Sequence, residues 1–256
     1  MHQGKRRGRP SGLSLHDSRP LPRVHLWVQS RPAAGIRRVV QRVALRPLVW
    51  RLVRVQVCES EQVRRLHGPV VVVANHSSHL DTPLIVCSLP PRLGRNLAVG
   101  AAADYFFDAT WRAVLTGLAF NAFPVERGTA RRLRGLAGKM LEGGSSLLVF
   151  PEGTRSRTGS MGPFKPGAAA LSSTRHAPCV PIGLVGTFDA MPRGRNWPRR
   201  GRPAVRVNIG DPMWPSPGET VESFNLRIAA EVARLSGQPA PPPFEPPAEP
   251  PPAEPR

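Results

Sequence analysis

Residues 69–74 read Pro-Val-Val-Val-Val-Ala, and the stretch after them, Asn75-His76-Ser77-Ser78-His79-Leu80-Asp81, runs directly into Thr82-Pro83-Leu84-Ile85-Val86. Four consecutive valines leave no polar face, so the segment suits a strand covered on both sides, the habit of parallel sheets whose crossover helices pack on each face. Asp81-Thr82-Pro83 supplies the acid and the early proline of a helix start. A strand passing into a helix across a short junction points to an α/β architecture. It also puts His76 at the carboxyl end of a strand, the edge at which open α/β sheets bind ligands. Along one straight helix His76 and Asp81 would lie about 140° apart. They meet only if the chain bends between them, and the junction provides the bend. A carboxylate on one imidazole nitrogen fixes the tautomer, which leaves the other nitrogen to take a proton from a hydroxyl. On spacing alone His76 serves equally as a helix cap or a partner of a backbone carbonyl. His79 is read as structural.

Strand and helix signals alternate along the chain. Strands are expected at 53–57, 69–74, 96–103, 120–125, 146–150, 180–185 and 205–209, with 59–68 as a polar connector. Helices are expected at 81–88, 105–117, 129–142, 167–176 and 220–235. The 129–142 helix is marked by Leu133, Leu136, Ala137, Met140 and Leu141 at the spacing of one helical face, and by the Gly143-Gly144 stop. Such alternation predicts a mostly parallel sheet flanked by helices. Residues 1–32 are rich in Arg, Pro, Gly and Ser without periodicity, and residues 237–256 are dominated by Pro, Ala and Glu, so both ends are read as disordered. The domain proper is read as 51–236, preceded by an amphipathic segment at 33–50. In that segment Arg37, Arg38, Gln41 and Arg42 share one side of a helical wheel, Ile36, Val39, Val40 and Val43 the other, and Pro47 should end or kink the helix.

The net charge of +19 calls for an anionic partner, whether nucleic acid, acidic membrane or phosphorylated substrate. It is uneven, since residues 1–66 hold 15 Lys and Arg against 3 Asp and Glu. A single Tyr provides little of the aromatic stacking that nucleic-acid binding uses, so nucleic acid is not expected as a partner. The Arg-bearing amphipathic segment suits the interface of an anionic membrane instead. No stretch offers the roughly 20 apolar residues that span a bilayer. Cys58, Cys87 and Cys179 form no CxxC pair, which argues against a zinc site or a disulfide framework and fits a reducing compartment.

Three cationic residues recur beside Gly and Pro at strand ends: Arg127 in Phe-Pro-Val-Glu-Arg, Arg155 in Phe-Pro-Glu-Gly-Thr-Arg-Ser, and Lys165 in Phe-Lys-Pro-Gly. Guanidinium forks bind phosphate bidentately and a lysine adds a point charge. Converging near His76, they would form a pocket for a phosphate-bearing alcohol.

With these blocks in place, the chain resembles the glycerolipid acyltransferases typified by 1-acylglycerol-3-phosphate O-acyltransferase. The resemblance covers roughly residues 52–235. It rests on four blocks in order, NHSSHLD at 75–81, AFPVERG at 122–128, FPEGTRS at 150–156 and VPIG at 180–183, with FKPG at 164–167 as a further element. It implies a glycerol-3-phosphate acyltransferase-like α/β fold. His76 would be general base and Asp81 its orienter, with Arg127, Glu152, Gly153, Thr154, Arg155 and Lys165 binding the phosphate-bearing acceptor. Acyl-CoA or acyl carrier protein would donate the acyl group without metal or cofactor. The implied setting is phospholipid synthesis by an enzyme attached peripherally to the cytoplasmic face of the cell membrane. Glu126 departs from the family where Asp is common, and the Arg-broken front segment departs in apolarity. Another lysolipid acceptor, or an esterase using Ser77 or Ser78, is a competing reading.

Overall fold

The computed structural model describes residues 31–102, 120–125 and 130–246. The helix expected at 105–117 and the acceptor candidate Arg127 lie outside the described residues, as do residues 1–30 and 247–256.

A helical entry leads into the domain: α1 (Arg31–Val40), one π turn (Gln41–Leu45) and α2 (Arg46–Leu52). Then follow β1 (Arg54–Glu59), α3 (Glu61–Arg65), β2 (Val71–Ala74), α4 (Asp81–Ser88), α5 (Pro91–Gly94), β3 (Leu97–Ala102) and β4 (Ala122–Val125). The second half is α6 (Ala130–Glu142), β5 (Ser146–Val149), α7 (Gly167–Arg175), β6 (Cys179–Val185), α8 (Thr187–Ala190), β7 (Ala204–Ile209) and α9 (Val221–Ser236). The seven strands form one sheet in the order β1-β7-β6-β2-β5-β3-β4. Every pairing is parallel except β6 with β7, which is antiparallel. The carboxyl ends of β2, β5 and β6 therefore open on one edge, and β4 runs the same way.

The valine run is the centre of this sheet. Successive side chains of a strand point to opposite faces. Val70, Val72 and Ala74 enter one core with Leu84, Ile85 and Val49, while Val71 and Val73 enter the other with Leu147, Phe164, Phe224 and Ile228. All four β2 residues are fully buried, each of the three valine side chains contributing about 1.5–3 kcal/mol on the usual transfer scale.

Three local expectations are refined. Pro47 does not end the entry helix. The turn ahead of it widens so that the Arg46 N–H donates to the Gln41 carbonyl five residues back, which makes room for a ring that cannot fit, or donate, in a regular turn. The polar connector at 59–68 contains α3, started by Ser60, whose Oγ accepts the Val63 N–H at 3.2 Å. Arg37, placed on the polar side of the wheel, is buried with 3% exposure, while Ile36, Val39, Val40 and Val43 face outward. Burial and the neighbouring Arg38 lower the Arg37 guanidinium to about 10.

The last helix explains one glycine. Thr220 Oγ1 accepts the Ser223 N–H at 3.1 Å, Gly237 closes the helix in a left-handed conformation, and between them α9 lies against β6. A Cβ on Gly183 would collide with the Leu235 carbonyl carbon and the Ser236 nitrogen. Backbone cannot step aside as a side chain can. Gly183→Ala is expected to cost at least the usual 1–3 kcal/mol of overpacking, which at about 2–4 °C per kcal/mol is a clear drop in Tm by calorimetry.

Candidate active site

β2 ends at Ala74 and the chain turns sharply into α4, with Asn75 as its anchor. The Asn75 side chain donates to the Leu184 carbonyl at 3.1 Å and accepts the Leu184 N–H at 2.8 Å, tying the turn to β6. Asp81, in the first turn of α4, is fully buried, and its Oδ2 is the hub of the turn. This oxygen accepts the Ser77 N–H at 2.7 Å and the Ser78 N–H at 2.8 Å, and lies 2.9 Å from His76 Nδ1. Three donors on one carboxylate oxygen define both the loop and the imidazole, with Nδ1 as the protonated nitrogen. Nε2 is left to take a proton. The ring is held from its face by Phe150, whose centroid lies 3.9 Å away at an interplanar angle of 16°.

β5 delivers the second loop. Glu152 Oε1 accepts the His76 N–H at 2.7 Å and Oε2 accepts the Gly162 N–H at 3.0 Å, so this carboxylate joins the imidazole loop to the far side of its own loop. Burial raises the Glu152 carboxyl above the ordinary glutamate value, against the pull of these two donors. The Ser156 N–H returns to the His76 carbonyl at 2.8 Å. Gly153 has φ +74°, which favours glycine, and a Cβ there would meet Lys165 Nζ at 3.0 Å. Lys165 thus stands over Gly153. The loop walls a cleft of about 450 Å³ whose lining includes Thr154, Arg155, Ser156, Arg157 and Arg193. Burial, then Arg155 and His76, lower the pKa of the half-buried His79, which keeps that imidazole neutral.

β6 delivers the third support. Ser77 Oγ and Thr187 Oγ1 lie 3.0 Å apart, and Ser78 Oγ donates to the Met191 carbonyl at 2.8 Å. The two serines are therefore engaged in holding the turn, an arrangement unlike that of an attacking hydroxyl. Phe150, Thr187, Met191, Arg157 and Arg193 received no role from the sequence. Phe150 alone had a visible signal, as an aromatic closing the strand before Pro-Glu-Gly-Thr-Arg-Ser. Among the described residues, no group of three His, Cys, Asp or Glu could hold a metal ion.

A base oriented by a carboxylate, beside an arginine-lined cleft and without an aligned nucleophile of its own, is equipped to activate a substrate hydroxyl. Residues 54–185 match the family described as Acyltransferase. This chain belongs to the acyltransferase family. Among curated relatives, the chloroplastic 1-acyl-sn-glycerol-3-phosphate acyltransferase BAT2 of Brassica napus is 33% identical over 131 residues, 49% of this chain and 36% of the relative. The alpha 1-acyl-sn-glycerol-3-phosphate acyltransferase of Bos taurus is 34% identical over 172 residues, 66% of this chain and 56% of the relative. The aligned region thus spans about a third of the first relative's length and just over half of the second's. The crystal structure of the 1-acyl-sn-glycerophosphate (LPA) acyltransferase PlsC from Thermotoga maritima shares the fold with a TM-score of 0.63, at 24% identity, over 84% of this chain and 86% of that one.

The geometry of this acyltransferase's site yields an expectation for Glu152. A glutamine there keeps one oxygen and turns an amide NH₂ against a backbone N–H, which leaves a donor without an acceptor at a usual cost of about 1–3 kcal/mol. Glu152→Gln is expected to lower kcat about tenfold or more, with the acceptor KM little changed. An increase confined to that KM would make Glu152 an acceptor contact.

Proposed function

We propose that this acyltransferase moves a fatty acyl group from a thioester, acyl-CoA or acyl carrier protein, to the free hydroxyl of 1-acylglycerol-3-phosphate, giving phosphatidic acid. The acceptor oxygen attacks the thioester carbonyl carbon while its proton passes to His76 Nε2, and Asp81 stabilises the imidazolium. Collapse of the tetrahedral intermediate breaks the C–S bond, and the imidazolium returns its proton to the leaving thiolate. The observation that carries this reading is the 2.9 Å contact of His76 Nδ1 with Asp81 beside the cleft that Arg155 lines. The relatives' names as 1-acyl-sn-glycerol-3-phosphate acyltransferases support the same acceptor.

The acceptor phosphate is assigned to this cleft, held by Arg155 with Thr154 at its rim and with Lys165 over Gly153 as a further cation; Arg127, outside the described residues, is a further candidate on its sequence block alone. Arg155→Ala is expected to raise the KM for lysophosphatidate about tenfold or more, the scale of one lost charge-assisted contact, with the KM for acyl-CoA little changed. Equal use of lysophosphatidate by the variant and the wild type would move the phosphate elsewhere. The direct test offers the purified protein a panel of lysolipids with labelled acyl-CoA and identifies products by mass. Phosphatidic acid as the main product is expected, and preferential acylation of another lysolipid overturns the acceptor assignment.

The enzyme meets its substrate at a membrane surface, on the cytoplasmic face. Supporting this, Ile36, Val39, Val43 and Leu48 are exposed by 47%, 61%, 71% and 47%, an apolar stripe flanked by the exposed Arg38 and Arg42. Among the described residues, no helix is long and apolar enough to cross a membrane, and a stripe of this kind suits the headgroup boundary.

A further inference from the structure

The connection between β6 and β7 contains the sequence Pro-Arg-Gly-Arg-Asn-Trp-Pro-Arg-Arg-Gly-Arg from 192 to 202, with five arginines and no acid. None of its residues from 192 to 202 lies in a helix or strand. Trp197, near its centre, is 64% exposed, far more than packing against its own domain would leave to a side chain of that size. The two ends of the segment are tethered to different parts of the enzyme. Before it, the Met191 carbonyl accepts Ser78 Oγ at 2.8 Å, and Arg193 lines the cleft beside Arg155. At the other end, Arg202 Nη2 donates to the Trp50 carbonyl at 2.8 Å and the Arg202 carbonyl accepts Arg54 Nε at 3.2 Å. Trp50 belongs to α2, at the foot of the entry helix whose apolar stripe is exposed. The segment thus runs from the rim of the active site to the base of the helix assigned above to the lipid surface.

We propose that residues 192–202 form a second lipid-contact element, which binds anionic headgroups through its arginines and seats Trp197 at the headgroup level. The inference rests on the membrane reading above and extends it from the entry helix to the active-site rim. Tryptophan favours the boundary between water and acyl chains, and exposed guanidiniums gain from the negative potential of an anionic leaflet. A contact made at both ends of the segment orients the cleft toward the surface from which a lysolipid must be drawn. Phosphates of a thioester donor present a similar charge. The exposed indole favours the membrane.

The test uses the full-length protein with vesicles of phosphatidylcholine alone, or of phosphatidylcholine and phosphatidylglycerol in equal parts. A variant carrying Arg195→Ser, Arg199→Ser and Arg200→Ser leaves the tethers at Met191 and Arg202 in place. It is expected to lose roughly a hundredfold in co-sedimentation with the anionic vesicles, at the strength an anionic leaflet lends each basic side chain. Trp197→Ser should abolish quenching of protein fluorescence by brominated lipid in large part. Trp214→Ser, which changes an indole at the opposite sheet edge, where Met213 pairs with Cys179, should leave vesicle binding unchanged. Circular dichroism checks each fold, and kcat on water-soluble short-chain substrates should match the wild type. Wild type bound to vesicles beside an equally bound triple variant overturns the loop alone. Wild type unbound to either vesicle overturns the membrane reading and the loop with it. A raised KM for soluble acyl-CoA with intact vesicle binding reassigns the segment to the donor.

Discussion

Asp81→Asn is expected to lower kcat by about four powers of ten, the loss that the same exchange causes in serine proteases. Oδ2 of Asp81 receives His76 Nδ1, the Ser77 N–H and the Ser78 N–H, while its buried Oδ1 has no hydrogen-bond partner among the described residues. An asparagine that keeps its oxygen toward the three donors must bury its NH₂ at the unpartnered position, which leaves two donors unsatisfied. Turned over, it directs NH₂ at two backbone N–H groups and forces His76 toward the wrong tautomer. Either way the imidazole loses the negative charge that steadies its protonated form. Stopped-flow or steady-state assays on protein of unchanged circular dichroism measure the loss. A variant within tenfold of wild type would mean that the carboxylate only holds the turn.

The contact between His76 and Asp81 was legible because its parts are local. A valine run, a polar junction and a helix start lie within a short stretch, and their order alone sets His76 at the carboxyl end of a strand. The supports around it were not legible, since they arrive from segments 76 to 113 residues away, such as Glu152 to the His76 N–H and Met191 to Ser78. Hydrophobic periodicity reports which face of an element is buried and says nothing about which strand will be its neighbour. The pairing of β2 with both β5 and β6, and the reversed β7, brought those loops together.

The entry helix shows the same limit. The helical wheel separated Ile36, Val39, Val40 and Val43 from Arg37, and that apolar side stands outward as a membrane-facing segment requires, but the burial of Arg37 depends on what stands opposite it, which periodicity does not report. Pro47 argued for an end or a kink, and the chain continued its helix by widening one turn ahead of the proline. Ser60 before Glu61 carried a helix-start signal, yet five residues with a single buried valine, Val63, gave too little periodicity to register.

His76→Ala is the second expected large loss. General-base catalysis contributes about 10²–10⁴-fold, and no other described group is placed to replace it. Glu152 is engaged by two backbone donors and His79 is two residues from Asp81 with a depressed pKa. The side chain of His76 is 18% exposed, so its removal vacates a site at the rim of the fold and is compatible with intact structure. The comparison that tests the mechanism most directly is kcat for His76→Ala beside His79→Ala, both folded, with lysophosphatidate and acyl-CoA. A loss of at least a hundredfold is expected for the first and a change within about tenfold, or 1.4 kcal/mol in the barrier, for the second. An active His76→Ala, or an inactive His79→Ala beside it, would contradict the assignment of His76 as the base.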